Sequence, residues 1–104
     1  MQKYTVIVSR RADMQLLYIT EFLAHANTDF AKSFRSEYKS MLDRLEENPW
    51  QFPPETDPLL QESGYHKAIF SKRYKAVFLI EEDTVFLDAV VDCRQSIKSY
   101  GMKL

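Results

Sequence analysis

Apolar and polar positions follow two rhythms along this chain. In KYTVIV, residues 3–8, Tyr4, Val6 and Val8 alternate with Thr5 and Ile7, and β-branched residues dominate. A period of two predicts a strand. Ser9 then suits a helix N-cap, and Asp13 falls in the first turn, where the helix dipole favours a carboxylate. In ADMQLLYITEFLAHAN the period lengthens. Ala12, Leu16, Ile19 and Leu23 recur at helical spacing, while Leu17, Tyr18 and Phe22 widen the stripe into a broad apolar face. His25 falls at the helix end, where it meets the negative pole of the dipole. The stretch ANTD interrupts the pattern, with Asn27 or Thr28 as stop and new cap. A second helix is predicted over about 29–47. Its apolar stripe is Ala31, Phe34, Tyr38, Met41, Leu42 and Leu45, and its polar side carries Lys32, Arg35, Lys39, Asp43 and Glu46. Two amphipathic helices joined by a short break predict an antiparallel hairpin.

All four prolines fall in NPWQFPPETDP, between Pro49 and Pro58. Proline ends the helix and opposes ordinary strand pairing, so a loop is expected here. Trp50 and Phe52 are too apolar for both to lie free, and at least one should tuck against the core. Beyond Gly64 the period returns to two. YHKAIF, YKAVFLI and TVFLDAVV read as three strands, joined by SKR and by the tight connection EED. In the middle strand Tyr74, Ala76, Phe78 and Ile80 share one face, and Lys75, Val77 and Leu79 share the other. Both faces of the later strands are largely apolar, so that part of the sheet should be central or covered by the helices.

The order strand, helix, helix, strand meander predicts an α+β fold. An N-terminal strand and an antiparallel helical hairpin pack on a small, mainly antiparallel sheet. The length of 104 residues suits one domain over 1–104.

Composition narrows the functional classes. Net charge is −1 and the single cysteine, Cys93, has neither an internal disulfide partner nor a CxxC or Cys/His cluster around it. Metal and cofactor sites are not expected, and a reducing, cytoplasmic compartment is. The apolar run near the N-terminus is too short for a signal peptide, and no segment reaches the length of a membrane span. Near-neutral charge argues against a protein that grips nucleic acid with its whole surface, and leaves room only for a local basic patch. The chain contains no GxSxG, HExxH or phosphate-cradling glycine loop.

One basic patch is visible. His66, Lys67, Lys72, Arg73 and Lys75 occur in ten residues without an acidic one. They suit either a phosphate or acidic-partner contact or a solvated hairpin whose lysines guard an edge. Arg94 follows a strand apolar on both faces. It suits either phosphate binding, working with Lys75 from a paired strand, or a structural ion pair with Asp92 or Asp88. His66 could serve as a general base or be structural. Tyr100 could be a stacking platform for a base or a packed tail residue. Cys93 reads as a bystander.

Taken together, YTVIVSRRADMQLLYITEFL, LDRLEENPW and HKAIFSKRYKAVFLIEEDTVFLDAVVDCRQ resemble the RelE/ParE superfamily of toxins from type II toxin–antitoxin systems, also called plasmid stabilisation proteins. The likeness spans nearly the whole chain. The resemblance implies growth inhibition and neutralisation by a cognate antitoxin in a hetero-oligomer. The antitoxin would lie along the sheet and helical hairpin as an amphipathic segment that folds on binding. RelE-like members cut messenger RNA in the ribosome, and ParE-like members inhibit DNA gyrase. For a RelE-like nuclease the resemblance puts Lys75, Arg94 and Tyr100 at catalytic positions, with His66 where a lysine is used. Lys67, Lys72 and Arg73 become partner or phosphate contacts. Ala68 and Phe70 stand where such nucleases tend to be basic, the pI is about 6.1, and both helices are long. These departures favour a ParE-like inhibitor that needs no cofactor.

Overall fold

The computed structural model describes residues 3–103. Strand β1 (Thr5–Val8) leads into helix α1 (Arg10–Ala26) and helix α2 (Thr28–Glu47). A short 3-10 turn (Pro49–Gln51) and a one-turn helix α3 (Pro58–Glu62) follow. Strands β2 (His66–Phe70), β3 (Tyr74–Glu81) and β4 (Thr84–Asp92) complete the sheet, and a second 3-10 turn (Ile97–Tyr100) lies in the tail.

Local chemistry explains the helix boundaries. Ser9 caps α1 by accepting the Ala12 N–H at 3.0 Å, and its hydroxyl donates to the Asp88 carbonyl at 3.0 Å. Asn27 ends α1 and caps α2, accepting the Phe30 N–H at 3.1 Å. A single extended residue between two helices forces the sharp reversal that makes the hairpin.

The sheet order is β1-β4-β3-β2, with β1 parallel to β4 and the other neighbours antiparallel. The β3–β4 register shifts between Val77 and Phe78: Val77 opposes Ala89, whereas Phe78 opposes Leu87, so Asp88 is the extra residue of a bulge. Its carboxylate accepts the Tyr65 hydroxyl at 2.6 Å. Of the three β2–β3 turn residues, Ser71 and Lys72 have φ of 49° and 69°, a left-handed conformation that costs a non-glycine residue about 1–2 kcal/mol.

The helical hairpin covers one sheet face. Phe34 is fully buried there, with its ring edge-on to Tyr74 at 4.9 Å, among Met41, Leu45, Phe70, Ala76, Phe78 and Val90. Removing a side chain of this size from water contributes roughly 1.5–3 kcal/mol. The stripe expected for α2 is the one buried. In α1 the outcome differs. Ala12 and Leu23 are buried, with Leu16 and Ile19 packed beside them, but Met14, Leu17, Tyr18 and Phe22 face solvent. An α-helix can press only part of its circumference onto a sheet and one neighbour, so half of the broad apolar face is left over.

The opposite sheet face corrects a second expectation. Val77, Ala89 and Val91 are buried there by Leu60 of α3 and Tyr100 of the tail, with Tyr65, Ile97 and Met102 alongside, rather than by α1 or α2. The proline-rich segment is not simply a loop. Pro49 and Pro58 open short helices, where a missing N–H costs nothing. Between them the chain runs along β2: Lys67 N–H donates to the Pro53 carbonyl, Glu55 N–H donates to the Tyr65 carbonyl, and Pro54 bridges to His66. An edge tolerates proline because only one of its sides must donate. Phe52 is the aromatic that tucks in, and Trp50 is left exposed.

Candidate partner-binding groove

The leftover apolar row of α1 forms one wall of a groove of about 740 Å³. Met14, Tyr18 and Phe22 recur every fourth residue and so point the same way. Tyr74 of β3 and Val90 of β4 form the floor, and Arg73, Asp92, Arg94 and Gln95 line the far side. A second depression of about 410 Å³ continues past Phe22 to Phe30, Ser71 and Lys72. Tyr18 is 73 % exposed, a large desolvation gain open to a partner.

The charged rim is organised by Asp92. Its carboxylate accepts from Arg94 Nε at 3.1 Å and Nη2 at 3.0 Å, and it takes the Arg94 backbone N–H at 2.8 Å. Arg73 Nε approaches to 3.8 Å. The Arg94 guanidinium is the main cause holding the Asp92 carboxyl below its ordinary range, aided by that backbone N–H and by Arg73. The same pairing raises Arg94 above its ordinary value.

The predicted site residues separate into three places. Arg73 and Arg94 stand at the groove, with Lys72 in the adjoining depression. Lys75 and Lys67 point to the opposite sheet face, because side chains alternate along β2 and β3. The Lys75 ammonium lies 2.7 Å from the buried Glu55 carboxylate and 5.3 Å from the centre of the Tyr100 ring. Burial works against its charge, but Glu55 and Tyr100 outweigh it and leave the pKa above the ordinary lysine value. Lys67 Nζ is 3.4 Å from Thr56 Oγ1. His66 stacks on Phe78, meets Trp50 edge-on, and has Nδ1 3.1 Å from the Phe52 carbonyl.

Lys75 and Arg94 are therefore not brought together, although β3 and β4 pair and Arg94 lies only two residues past the end of β4. Asp92, not Lys75, is the residue Arg94 reaches. The pairing with Asp92 is the structural alternative the sequence left open. Tyr100 is 4 % exposed, packed rather than presented. The Cys93 thiol is pushed up by burial, with Lys75 pulling it down and Asp92 pushing it up. Among the described residues no buried side-chain polar atom lacks a hydrogen-bond partner.

Sequence reasoning missed Glu55 and Gln15, and it offered Asp88 only as an ion-pair partner for Arg94, whereas the Asp88 carboxylate accepts the Tyr65 hydroxyl. Glu55 sits in PETDP, where nothing local marks a buried carboxylate. Gln15 lies in α1 beside the core stripe and reads as ordinary helix polarity. The signal for the groove was present: the apolar arc of α1 is too wide for one packing surface.

No family model matches the sequence, and no curated protein matches it. Among solved structures, a chain described as "Chromosomal ParDE TA system from P. aeruginosa" superposes with a TM-score of 0.70 at 13% identity. The match covers 86% of this chain and 95% of that chain. The α+β fold expected from the sequence is the fold found, and it is similar to that of the ParDE chain.

Proposed function

We propose that this chain is the toxin of a type II toxin–antitoxin pair, acting in the ParE manner by binding DNA gyrase. A cognate antitoxin would neutralise it by occupying the α1–β4 groove in a hetero-oligomer. The groove carries this reading. An exposed apolar row beside two arginines fits an amphipathic, acidic segment that orders on binding. The fold likeness to a ParDE chain supports it.

The competing reading is ribosome-dependent messenger RNA cleavage. It would need Lys75, Arg94, Tyr100 and His66 to converge on one phosphate. Here Lys75 is engaged by Glu55, Tyr100 is buried, Arg94 leans on Asp92, and His66 is stacked on Phe78. That dispersal weighs towards inhibition by protein contact.

Purified chain added to a gyrase supercoiling assay is expected to block supercoiling, while induced cells keep their messenger RNA intact. Unaffected gyrase at large excess, together with codon-phased cuts in translated RNA, would reverse the assignment. A small reading frame beside the gene, whose product restores growth, is the expected antitoxin.

A further inference from the structure

The sheet treats its two outer strands differently. β2 is covered: Lys67 N–H donates to the Pro53 carbonyl, and Glu55 N–H donates to the Tyr65 carbonyl. On β1, Thr5 and Ser9 donate their N–H groups to the Asp83 and Leu87 carbonyls at 2.9 Å, so alternation turns the backbone of Val6 and Val8 outward. Among the described residues no backbone group meets Val6 or Val8 from that side. Natural edges are blunted by charge, proline or a bulge. TVIV holds no charge and no proline, and its pairing with β4 runs unbroken from Thr5 to Val8. On the open sheet face Ile7 is 48 % exposed beside the half-buried Phe86 and Leu79, its neighbours across β4 and β3.

The charges at the two ends of β1 sit against local rules. Arg10 and Arg11 open α1 at its positive pole, and Glu46 and Glu47 close α2 at its negative pole. Asp13 offsets part of the first mismatch. Arg44, which would offset the second, is turned to Gln51 Oε1 at 3.1 Å and lies over the Phe52 ring. Glu46 C=O accepts the Tyr4 N–H at 2.8 Å, which holds the acidic end of α2 at the start of β1, while Arg10 follows the strand's end. Among the described residues Arg10, Glu46 and Glu47 are in no ion pair. Local rules broken without compensation inside a chain mark places where function is expected. An edge acidic at one end and basic at the other complements itself when it is paired antiparallel.

We propose that β1 is a self-association edge: a second copy of this chain pairs its β1 antiparallel about a two-fold axis at Ile7, joining the two sheets into one. The outward pattern sets the register. Val6 of each copy exchanges backbone bonds with Val8 of the other, and the Ile7 side chains meet on the axis as the close, non-hydrogen-bonded pair, with Cα atoms about 4.5 Å apart. Tyr4 then faces Arg10 of the other copy, which brings that arginine to Glu46 and Glu47. The apolar row Leu79, Phe86, Ile7 continues into its counterpart across the axis. None of Val6, Ile7, Val8, Arg10, Glu46 and Glu47 lines the groove, so self-association leaves it open.

Sedimentation of the full chain from about 1 to 500 µM tests this, with a dissociation constant on the order of 10 µM expected because one short strand per copy makes a small interface. Ile7→Lys sets like charges opposite each other and should weaken the dimer at least about tenfold. Arg10→Glu, and separately Glu46→Lys with Glu47→Lys, should each associate at least about tenfold more weakly. An equal mixture of those two variants should dimerise like the unaltered chain, because each end of the mixed pair again joins opposite charges. Both changes suit the helix dipoles, so urea unfolding should show each variant at least as stable as the unaltered chain. Oxidation in a Cys93→Ser background reads the register. Ile7→Cys should cross-link, and Thr5→Cys, which faces Ser9 of the other copy, should not. A chain that stays monomeric at every concentration overturns the proposal. So does a mixture that fails to pair, an Ile7→Lys dimer as tight as the unaltered one, or equal cross-linking by the two cysteine variants.

Discussion

The Lys75 ammonium and the Glu55 carboxylate meet at 2.7 Å in the interior, joining the central strand to the proline-rich segment twenty residues away in sequence. The pair is walled by Tyr100, so one contact fastens strand, loop and tail. Removing either partner would strand a buried charge.

Lys75→Ala or Glu55→Ala is therefore expected to cost about 3–5 kcal/mol, read from urea unfolding. The double change Lys75→Met with Glu55→Leu should recover most of that loss, because two apolar groups of similar volume leave no charge unpaired. If the double variant retains the proposed gyrase inhibition, Lys75 is structural. Loss of inhibition in a well-folded double variant would give Lys75 a direct part in toxicity.

The Asp92–Arg94 pair sets a pH dependence. A carboxyl whose folded pKa is lowered stabilises the fold fully above its unfolded value, and that contribution is lost as pH falls through the lowered folded value. Arg94→Ala should raise the Asp92 pKa, seen by carboxyl NMR titration, and move the onset of acid destabilisation to higher pH. Arg94 is solvent-exposed, so the loss of stability near neutral pH should be small.

Tyr65 reports on the bulge. Burial, then the Asp88 hydrogen bond and charge, push its phenol pKa up to about 12. Asp88→Asn should lower that value but leave it above the ordinary phenol range, because burial, the larger cause, remains; the ultraviolet absorbance of tyrosinate measures it. The phenol is raised, so its stabilisation is complete below the unfolded value and fades as pH rises through the folded one. Tyr65→Phe is expected to cost about 1.5–3 kcal/mol, the range for a hydrogen bond to a charged acceptor.

The α1 row separates binding from stability. Tyr18→Ala should change unfolding free energy by no more than about 0.5 kcal/mol, because its ring is exposed. The same substitution should weaken neutralisation by the antitoxin, measured as growth rescue and co-purification. Rescue equal to that of the unaltered chain would move the antitoxin off the groove.

Much of the fold was legible in local pattern. The β1 alternation, the Ser9 and Asn27 caps, the buried stripe of α2 and the two faces of β3 all follow from periodicity and capping, which act between residues a few positions apart. The α1 stripe was half legible. Its width is visible in the sequence, but which half stays in solvent depends on where α2 and β4 press against it. The site was less legible. Arg73 and Arg94 were marked as candidates, yet their convergence on Asp92 requires the β3–β4 register that puts Tyr74 opposite Asp92.

What the sequence determined by itself was the set of elements, their order and the amphipathic faces that made a two-layer α+β domain the way to bury them. Tertiary structure alone decided which charges are consumed and which are presented. Glu55 comes from a proline-rich stretch with no periodic signal, and only the folded path along β2 brings its carboxylate to Lys75. The β4 edge is left without a strand because β1 stops at Val8 and α1 begins two residues later, while β4 continues to Asp92. Periodicity carries no information about contacts between segments tens of residues apart, and those contacts settle both the buried ion pair and the groove.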